Sequence, residues 1–188
     1  MKPQKVALAD CAPQPWRKGG GLTRELLLWP QSADASVPWQ VRVTVADVAA
    51  DGPFSSFPGI ERWFAVLQGS GVALVLPNGT RGIGPEDEPL QFPGEAEPGC
   101  TLLDGPTRDL NLMVRRGTGA GSMKRAQPGD TLAGSTRWRG LFAASRVRLE
   151  VDGALQSLAP GTLLWSETPQ GANWHLVQGR QAYWMALR

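Results

Sequence analysis

Residues 52–76 read GPFSSFPGIERWFAVLQGSGVALVL, a stretch with the pattern of a loop followed by a β-hairpin. Two apolar runs, 62–68 and 71–76, are separated only by Gly69 and Ser70, a pair typical of a tight turn between antiparallel strands. A second segment, WQVRVTVADV (39–48), alternates apolar with polar residues and predicts a half-buried strand. These segments predict a β-protein.

The remainder of the chain has the same character. The 188 residues include 23 glycines and 16 prolines spread along the whole length, which predicts many short strands joined by turns. No segment keeps a helical period over three turns, so we expect an all-β fold with few helices. Residues 117–130, GTGAGSMKRAQPGD, lack apolar periodicity and are predicted to link an N-terminal unit (1–118) to a C-terminal unit (119–188).

Composition excludes several classes of function. The 19 basic and 17 acidic residues are scattered, which argues against a nucleic-acid partner. No apolar window is long enough for a membrane span or a signal peptide, so we expect a cytoplasmic protein with no membrane partner. The two cysteines, Cys11 and Cys100, favour free thiols over a disulfide. A single histidine, His175, excludes a histidine-rich metal site.

The loop and hairpin at 52–71 resemble the first motif of the cupin superfamily. That motif reads His-x-His, three or four residues, Glu, six residues, Gly. Counting back from Gly69 puts the glutamate position at Arg62 and the two histidine positions at Ser55 and Phe57. The glycine expected before the first histidine falls on Ala49, so the match is partial. Because a guanidinium repels a cation, we expect neither a metal nor another cofactor at these positions.

Arg62 is the most informative of these replacements. Burying an arginine inside a β-barrel is unfavourable unless the charge is compensated. One alternative is a structural ion pair with Asp47, Asp109 or another acid. The other is a ligand carboxylate, which the planar guanidinium binds through two parallel hydrogen bonds.

Five blocks of the sequence are together similar to the HutD/Ves family of bacterial proteins: PWRKGGGLT (15–23), WQVRVTVADV (39–48), GPFSSFPGIER (52–62), LQFPG (90–94) and LLDGPTRDLNLMVRR (102–116). The resemblance implies two cupin-like (double-stranded β-helix) barrels packed as a bicupin in one globular unit. It also implies a metal-free protein that binds a small carboxylate metabolite, such as formylglutamate or urocanate, and that regulates or senses histidine utilisation. The C-terminal third is similar to the family only in its pattern of short strands separated by turns.

The glycine loop supplies one group of candidate ligand-binding residues. Successive amides around Gly20 can form a nest for an anion, although a plain turn explains three glycines equally well. Thr23 offers a hydroxyl just after the loop, and Trp16 beside it is expected to face the pocket. Where the family loop carries an asparagine, this chain has Lys18, which leaves the identity of the ligand open.

A second group of candidates surrounds Arg62. Phe54 and Phe57 flank Ser55 and serve either as pocket walls or as ordinary core. In RDLNLM (108–113), alternation puts Asp109 and Asn111 on one face of a strand. If that face points inward, the two residues orient an amide or amine of the ligand; if it points outward, they contact solvent.

Two other classes of function remain open, although the expected activity is binding without turnover and no catalytic residue is assigned. One is a metal-independent isomerase or epimerase that uses Lys18, Asp109 and Glu61 as acid and base groups. The other is a protein-interaction module with exposed tryptophans and arginines. A homodimer formed through a sheet edge is compatible with each of them.

Overall fold

The computed structural model describes residues 2–17, 19–32, 34, 36–133, 136–167 and 173–188. The chain divides into an N-terminal unit, Cys11–Thr118, and a C-terminal unit that combines Met1–Asp10 with Gly119–Arg188. Strand β1 is Gln4–Ala7, which is followed by a short 3-10 helix at Leu8–Asp10. Among the residues described, no helix has the length and apolar character needed to cross a membrane.

The described residues of the N-terminal unit form ten strands: β2 (Pro13–Pro15), β3 (Gly21–Trp29), β4 (Val41–Val48), β5 (Gly52–Pro53), β6 (Ile60–Gln68), β7 (Val72–Leu76), β8 (Gly79–Ile83), β9 (Leu90–Pro93), β10 (Gly99–Leu102) and β11 (Thr107–Arg115). They form a six-stranded sheet in the order β2-β3-β4-β11-β6-β9 and a four-stranded sheet in the order β5-β10-β7-β8. Side chains from both sheets meet in one apolar core: Phe64, Val66, Val72, Leu74, Leu76, Ile83, Phe92 and Cys100.

The C-terminal unit repeats this arrangement with the remaining strands: β12 (Gly121–Arg125), β13 (Thr131–Leu132), β14 (Trp138–Ala143), β15 (Val147–Val151), β16 (Ala154–Leu158), β17 (Thr162–Ser166), β18 (Trp174–Gln178) and β19 (Ala182–Leu187). A five-stranded sheet (β1-β17-β14-β19-β12) and a four-stranded sheet (β13-β18-β15-β16) contribute to a second apolar core. All the strand pairings of the described residues are antiparallel, and the prediction of an all-β protein with few helices is confirmed.

The structure divides the chain after residue 118 and places the first strand outside the N-terminal unit. We assigned residues 1–118 to the N-terminal unit, whereas β1 pairs with β17 of the C-terminal unit, with Gln4 opposite Trp165. Strand β17 pairs with β14 along one edge. The backbone groups of its other edge would be unpaired without β1, and such an open edge accepts a further strand.

The predicted linker at 117–130 contains strand β12, which pairs with β19 from Gly121 opposite Leu187 to Arg125 opposite Tyr183. Backbone pairing at the edge of a sheet does not need alternating apolar side chains, and Met123 alone in this strand is buried. The absence of periodicity therefore concealed an edge strand.

The turn after β6 needs a glycine at its first position, which gives a testable prediction. Gly69 has φ +94°, and a Cβ there would lie 2.5 Å from the carbonyl oxygen of Pro106 and 3.1 Å from the Cα of Thr107. Backbone on the neighbouring segment cannot move aside as a side chain can. We expect Gly69→Ala to lower the free energy of unfolding by about 3 kcal/mol or more, measured by urea denaturation.

The matched control is Gly79→Ala, because Gly79 also has a positive φ (+120°) but nothing within 4 Å of its Cβ position. It carries the cost of backbone strain without the clash, about 1–2 kcal/mol. Equal losses for the two variants would show that the close approach at Gly69 does not matter.

Candidate functional site

Arg62 lies on β6 with its side chain in the interior of the N-terminal unit, and only 5% of the residue is exposed. Its Nη2 donates a hydrogen bond to Oδ1 of Asn111 at 2.9 Å, and Nη1 donates a long one to the carbonyl oxygen of Ser55 at 3.4 Å. Its Nε is buried and makes no hydrogen bond. The guanidinium therefore has an unused donor inside the protein.

Three phenylalanine rings surround this guanidinium. The Cζ atom of Arg62 lies 5.3 Å from the ring centroid of Phe54, 5.4 Å from that of Phe57 and 5.1 Å from that of Phe92. Phe54 also packs on Phe64 of the core at a centroid distance of 5.4 Å. The rings partly compensate the buried charge through cation–π attraction and provide flat apolar walls.

In the part of the chain that the structure describes, no carboxylate balances the charge of Arg62. Among the described residues, no carboxylate oxygen lies within ion-pair distance of its guanidinium, and Asp47 instead pairs with Arg24 and Arg108 at 2.6 Å each. The structural ion pair considered above is therefore not formed. Burial lowers the pKa of Arg62 to about 10, with a further contribution from nearby Arg42, so the side chain stays cationic at neutral pH.

Arg42, which enhances the positive potential around Arg62, has its own partner. It lies on β4, and its Nε is 2.8 Å from Oε2 of Glu25 on β3. The Cζ atom of Arg42 also lies 6.0 Å from the ring centroid of Phe57. Since Arg42 and Glu25 neutralise each other, the site retains one uncompensated positive charge, that of Arg62.

Asp109 occupies the same interior on β11. It is 0% exposed, it accepts a hydrogen bond from Oγ1 of Thr107 at 2.9 Å on its Oδ2, and its Oδ1 is buried with no partner. Burial raises the pKa of Asp109, the Thr107 hydrogen bond opposes this effect and the charge of Asp47 adds to it, and together they bring the pKa to about 7. This carboxyl is therefore poised between its charged and neutral forms near neutral pH.

Strand register puts these groups on one wall of the interior. Asp109 lies opposite Val66, Asn111 opposite Phe64, and Met113 opposite Arg62. Asp109 and Asn111 thus face inward, which answers the question that alternation left open. Leu110 and Leu112 on the other face are also 0% exposed, so burial of both faces is why the pattern could not decide.

The glycine-loop candidates form a separate contact group. Nε1 of Trp16 donates to Oγ1 of Thr23 at 2.8 Å, and the Gly19 amide donates to the Trp16 carbonyl at 3.0 Å. The Gly20 carbonyl accepts hydrogen bonds from the amides of Ala49 and Ala50 at 2.8 and 3.2 Å. Within the described segments, none of these hydrogen bonds involves Arg62. Thr23 lies opposite Ala46 of β4, and Ala46 lies opposite Asp109 of β11, so Thr23 and Asp109 are on the same face of the sheet. Lys18 lies outside the described residues.

Among the candidates around Arg62, the structure brings together Phe54, Ser55, Phe57, Arg62 and Asn111. Asp109 lies two residues before Asn111 on β11. Ser55 contributes its carbonyl oxygen, not its hydroxyl. Glu61 is directed to the other side of β6, where it accepts a hydrogen bond from Gln91 at 3.1 Å. It is therefore remote from Asp109 as an acid–base partner.

Sequence reasoning missed Arg42, Phe92 and Thr107. Phe92 lies directly opposite Arg62 in the pairing of β9 with β6, and Arg42 lies opposite Met113 in the pairing of β4 with β11. Only Thr107, two residues before Asp109 in the same strand, had a local signal. In the described parts of the chain, no group of three or more His, Cys, Asp or Glu side chains is placed to hold a metal ion.

Two curated proteins are similar to part of the chain. An uncharacterized 21.2 kDa protein of the hutC 3' region of Pseudomonas putida is 35% identical over 111 residues, which are 58% of this chain and 57% of that protein. Protein Ves of Citrobacter koseri is 37% identical over 102 residues, 54% of this chain and 52% of its own length. The chain thus spans just over half the length of these relatives.

Solved structures resemble the chain over nearly all its length. A conserved Pseudomonas aeruginosa protein of unknown function is 27% identical with a TM-score of 0.85, covering 100% of this chain and 98% of its own. HutD from Pseudomonas fluorescens SBW25, solved in a formate condition, is 23% identical with a TM-score of 0.86, covering 99% and 98%.

A Cupin 2 conserved barrel domain protein from Leptotrichia buccalis shares the fold at 8% identity and a TM-score of 0.58, covering 98% of this chain and 96% of its own. This likeness bears out the expected cupin-like fold. The HutD family model matches residues 8–184. This chain belongs to the HutD family.

Proposed function

We propose that the protein binds a small carboxylate metabolite at Arg62 and that this binding serves to sense or regulate, without turnover of the ligand. The observation that carries the proposal is the buried, uncompensated guanidinium, with its Nε unpartnered and its charge unpaired among the described residues. Such a group is unfavourable in an empty protein and becomes favourable when a carboxylate accepts its hydrogen bonds.

The family supports the class of ligand. It is associated with histidine utilisation, and the Pseudomonas fluorescens HutD structure was obtained in a formate condition, formate being the simplest carboxylate. Formylglutamate and urocanate are the carboxylates of histidine breakdown that we propose as candidates. Arg42 is already paired with Glu25, which leaves the guanidinium of Arg62 as the group proposed to bind a carboxylate.

A calorimetric titration at pH 8 with formate, urocanate, formylglutamate and glutamate tests the proposal. We expect at least one of these carboxylates to bind, with its methyl ester (the dimethyl ester for formylglutamate and glutamate) or, for formate, formamide binding at least tenfold more weakly. The physical reason is that the ester keeps the shape but loses the charge that Arg62 recognises. Equal affinity for acid and ester, or no binding by any carboxylate, would contradict the proposal.

A different result would favour catalysis. NMR would show whether the bound carboxylate is converted to a product on incubation with the protein. If it is, the protein is an enzyme, and the proposal that it binds without turnover is wrong. The contacts give this second function less support, because Glu61 and Asp109 are directed to opposite sides of the sheet.

A further inference from the structure

One irregular segment, residues 54–58, covers the guanidinium of Arg62. It connects β5 to β6, and the ring centroids of Phe54 and Phe57 lie 5.3 and 5.4 Å from the Cζ atom of Arg62. Between them, the carbonyl oxygen of Ser55 accepts the long hydrogen bond from Nη1 at 3.4 Å. Only 5% of Arg62 is exposed and its Nε is buried, so a ligand reaches the guanidinium only when part of this cover moves.

The other groups that cover Arg62 belong to the six-stranded sheet. Phe92 lies on β9 directly opposite Arg62, and Asn111 lies on β11, which pairs with β6 on its other side. Moving either residue away would break backbone hydrogen bonds of the sheet, and buried backbone groups without a partner are unfavourable. The 54–58 segment is therefore the part of the cover that can move while the sheet stays intact.

The inner side of the 54–58 segment is apolar, and its outer side is in contact with solvent. Its two rings face Arg62 and are half-buried, whereas its three other residues are exposed. The amide of Phe54 donates to the carbonyl oxygen of Pro98 at 3.0 Å, and the amide of Phe57 donates to that of Gly94 at 2.9 Å. An outward movement of the segment therefore exchanges these two backbone hydrogen bonds for hydrogen bonds to water.

Both ends of the 54–58 segment are fixed. Before it, β5 pairs with β10. After it, the amide of Gly59 donates to Oε1 of Glu95 at 2.7 Å, and the carbonyl oxygen of Gly59 accepts a hydrogen bond from the amide of Arg116 at 2.9 Å. A short segment that is held at both ends can swing outward in its middle and return to the same place.

We propose that the 54–58 segment is a lid over Arg62, which opens to admit a carboxylate to the guanidinium and closes over the bound ligand with Phe54 and Phe57. This rests on the proposed binding of a carboxylate at Arg62. A closed lid excludes water, which strengthens the charge-assisted hydrogen bonds beneath it. Opening of the lid then limits how fast any molecule reaches Arg62.

The first test measures access to Arg62 with phenylglyoxal, which modifies arginine side chains, and follows the peptide that contains Arg62 by mass spectrometry. Phe57→Ala removes a ring of the lid. Phe92→Ala is the matched control, because it removes a ring on β9 that lies 5.1 Å from the same Cζ atom. We expect Phe57→Ala to speed the modification of Arg62 about tenfold or more, and Phe92→Ala to leave its rate nearly unchanged.

Two checks accompany these variants. The modification rate of Arg81, which is exposed on β8, should be the same in every protein. Circular dichroism checks folding, and if Phe92→Ala is unfolded, Phe57→Leu and Phe92→Leu make the same comparison.

Hydrogen exchange of the unmodified protein, followed by NMR, is a second test that needs no variant. We expect the amides of Phe54 and Phe57 to exchange through local opening, at rates that do not depend on urea at low concentration. The amides of β6 should exchange with a strong urea dependence, because only unfolding of the sheet releases them.

The outcomes separate the lid from the carboxylate site. Exchange of the Phe54 and Phe57 amides only through global unfolding, or equal effects of the two folded variants on Arg62, overturns the lid while carboxylate binding stands. If Phe57→Ala speeds the modification but formate, urocanate, formylglutamate and glutamate all fail to protect Arg62 in the unmodified protein, carboxylate binding is overturned and, with it, the admission of a carboxylate by the lid.

Discussion

Arg62→Met is expected to abolish carboxylate binding while leaving the protein folded. The substitution removes the charge and the donors, and the methionine side chain has a similar length and fits the three phenylalanine rings around it. Removing a buried uncompensated charge also removes its desolvation cost, so stability should be unchanged or higher. We expect Kd for formate and urocanate to rise at least a hundredfold in calorimetric titrations, equivalent to about 2.7 kcal/mol.

Arg62→Lys and Arg81→Met are the matched controls. Lysine keeps the charge but not the planar fork, so binding should be intermediate. Arg81 lies exposed on β8 in the same unit, and its replacement should leave Kd unchanged. If Arg62→Met unfolds the protein, Arg62 is a structural residue and the assignment of the site is wrong. Binding that survives in the folded variant would lead to the same conclusion.

Asp109→Asn is expected to stabilise the ligand-free protein at pH 8 by as much as about 4 kcal/mol, as the pKa difference is converted at 1.36 kcal/mol per unit. The pKa of Asp109 is raised from 3.8 to about 7 on folding, chiefly by burial. Between these values, the folded state holds a proton that the unfolded state has released. The free energy of unfolding of the unmodified protein therefore falls as the pH rises from about 4 to 7 and is lowest above 7.

Asparagine is neutral at every pH, so the advantage of the variant should be small at pH 4 and greatest at pH 8. Urea denaturation at pH 4, 6 and 8 measures it. Other ionisable groups that interact with Asp109 are Asp47 and Cys100, and burial with the Asp109 charge raises the pKa of the Cys100 thiol to about 12. Cys100 therefore stays neutral over this range.

Asp34→Asn provides a control of opposite sign. Hydrogen bonds from Ser36 lower the pKa of the exposed Asp34 carboxyl, so this charge favours the folded state above its pKa. Its replacement should slightly destabilise the protein at pH 8 and have no effect at low pH. A pH-independent effect of Asp109→Asn would show that Asp109 is not held in a raised-pKa environment.

Much of the site could be predicted because it depends on short-range spacing. Counting back from Gly69 placed Ser55, Phe57 and Arg62 in one motif, and both Ser55 and Phe57 lie against the guanidinium of Arg62. This works because a loop and the strand that follows it keep nearly constant geometry over ten or fifteen residues. The pairing of Arg62 with Asn111, 49 residues away, was predicted only as a shared site, not as a hydrogen bond.

The ligand-binding role of the glycine loop stays a prediction. Three glycines followed by a threonine are compatible with an anion nest, but the amide of Gly19 and the indole of Trp16 are used within the turn itself. A pattern of residue types records which hydrogen bonds are available. It does not record which of them the turn has already formed.

The sequence by itself determined the all-β class and the alternation of side chains along each strand, because turn chemistry and alternation act over a few residues. The tertiary structure alone decided which side is the interior of the barrel, because both faces of β11 are buried and both carry residues of 0% exposure, Asp109 and Leu110. It also decided the register that puts Phe92 and Arg42 around Arg62 and pairs β1 with β17. Register depends on hydrogen bonds between segments distant in the chain, and no spacing within one segment specifies them.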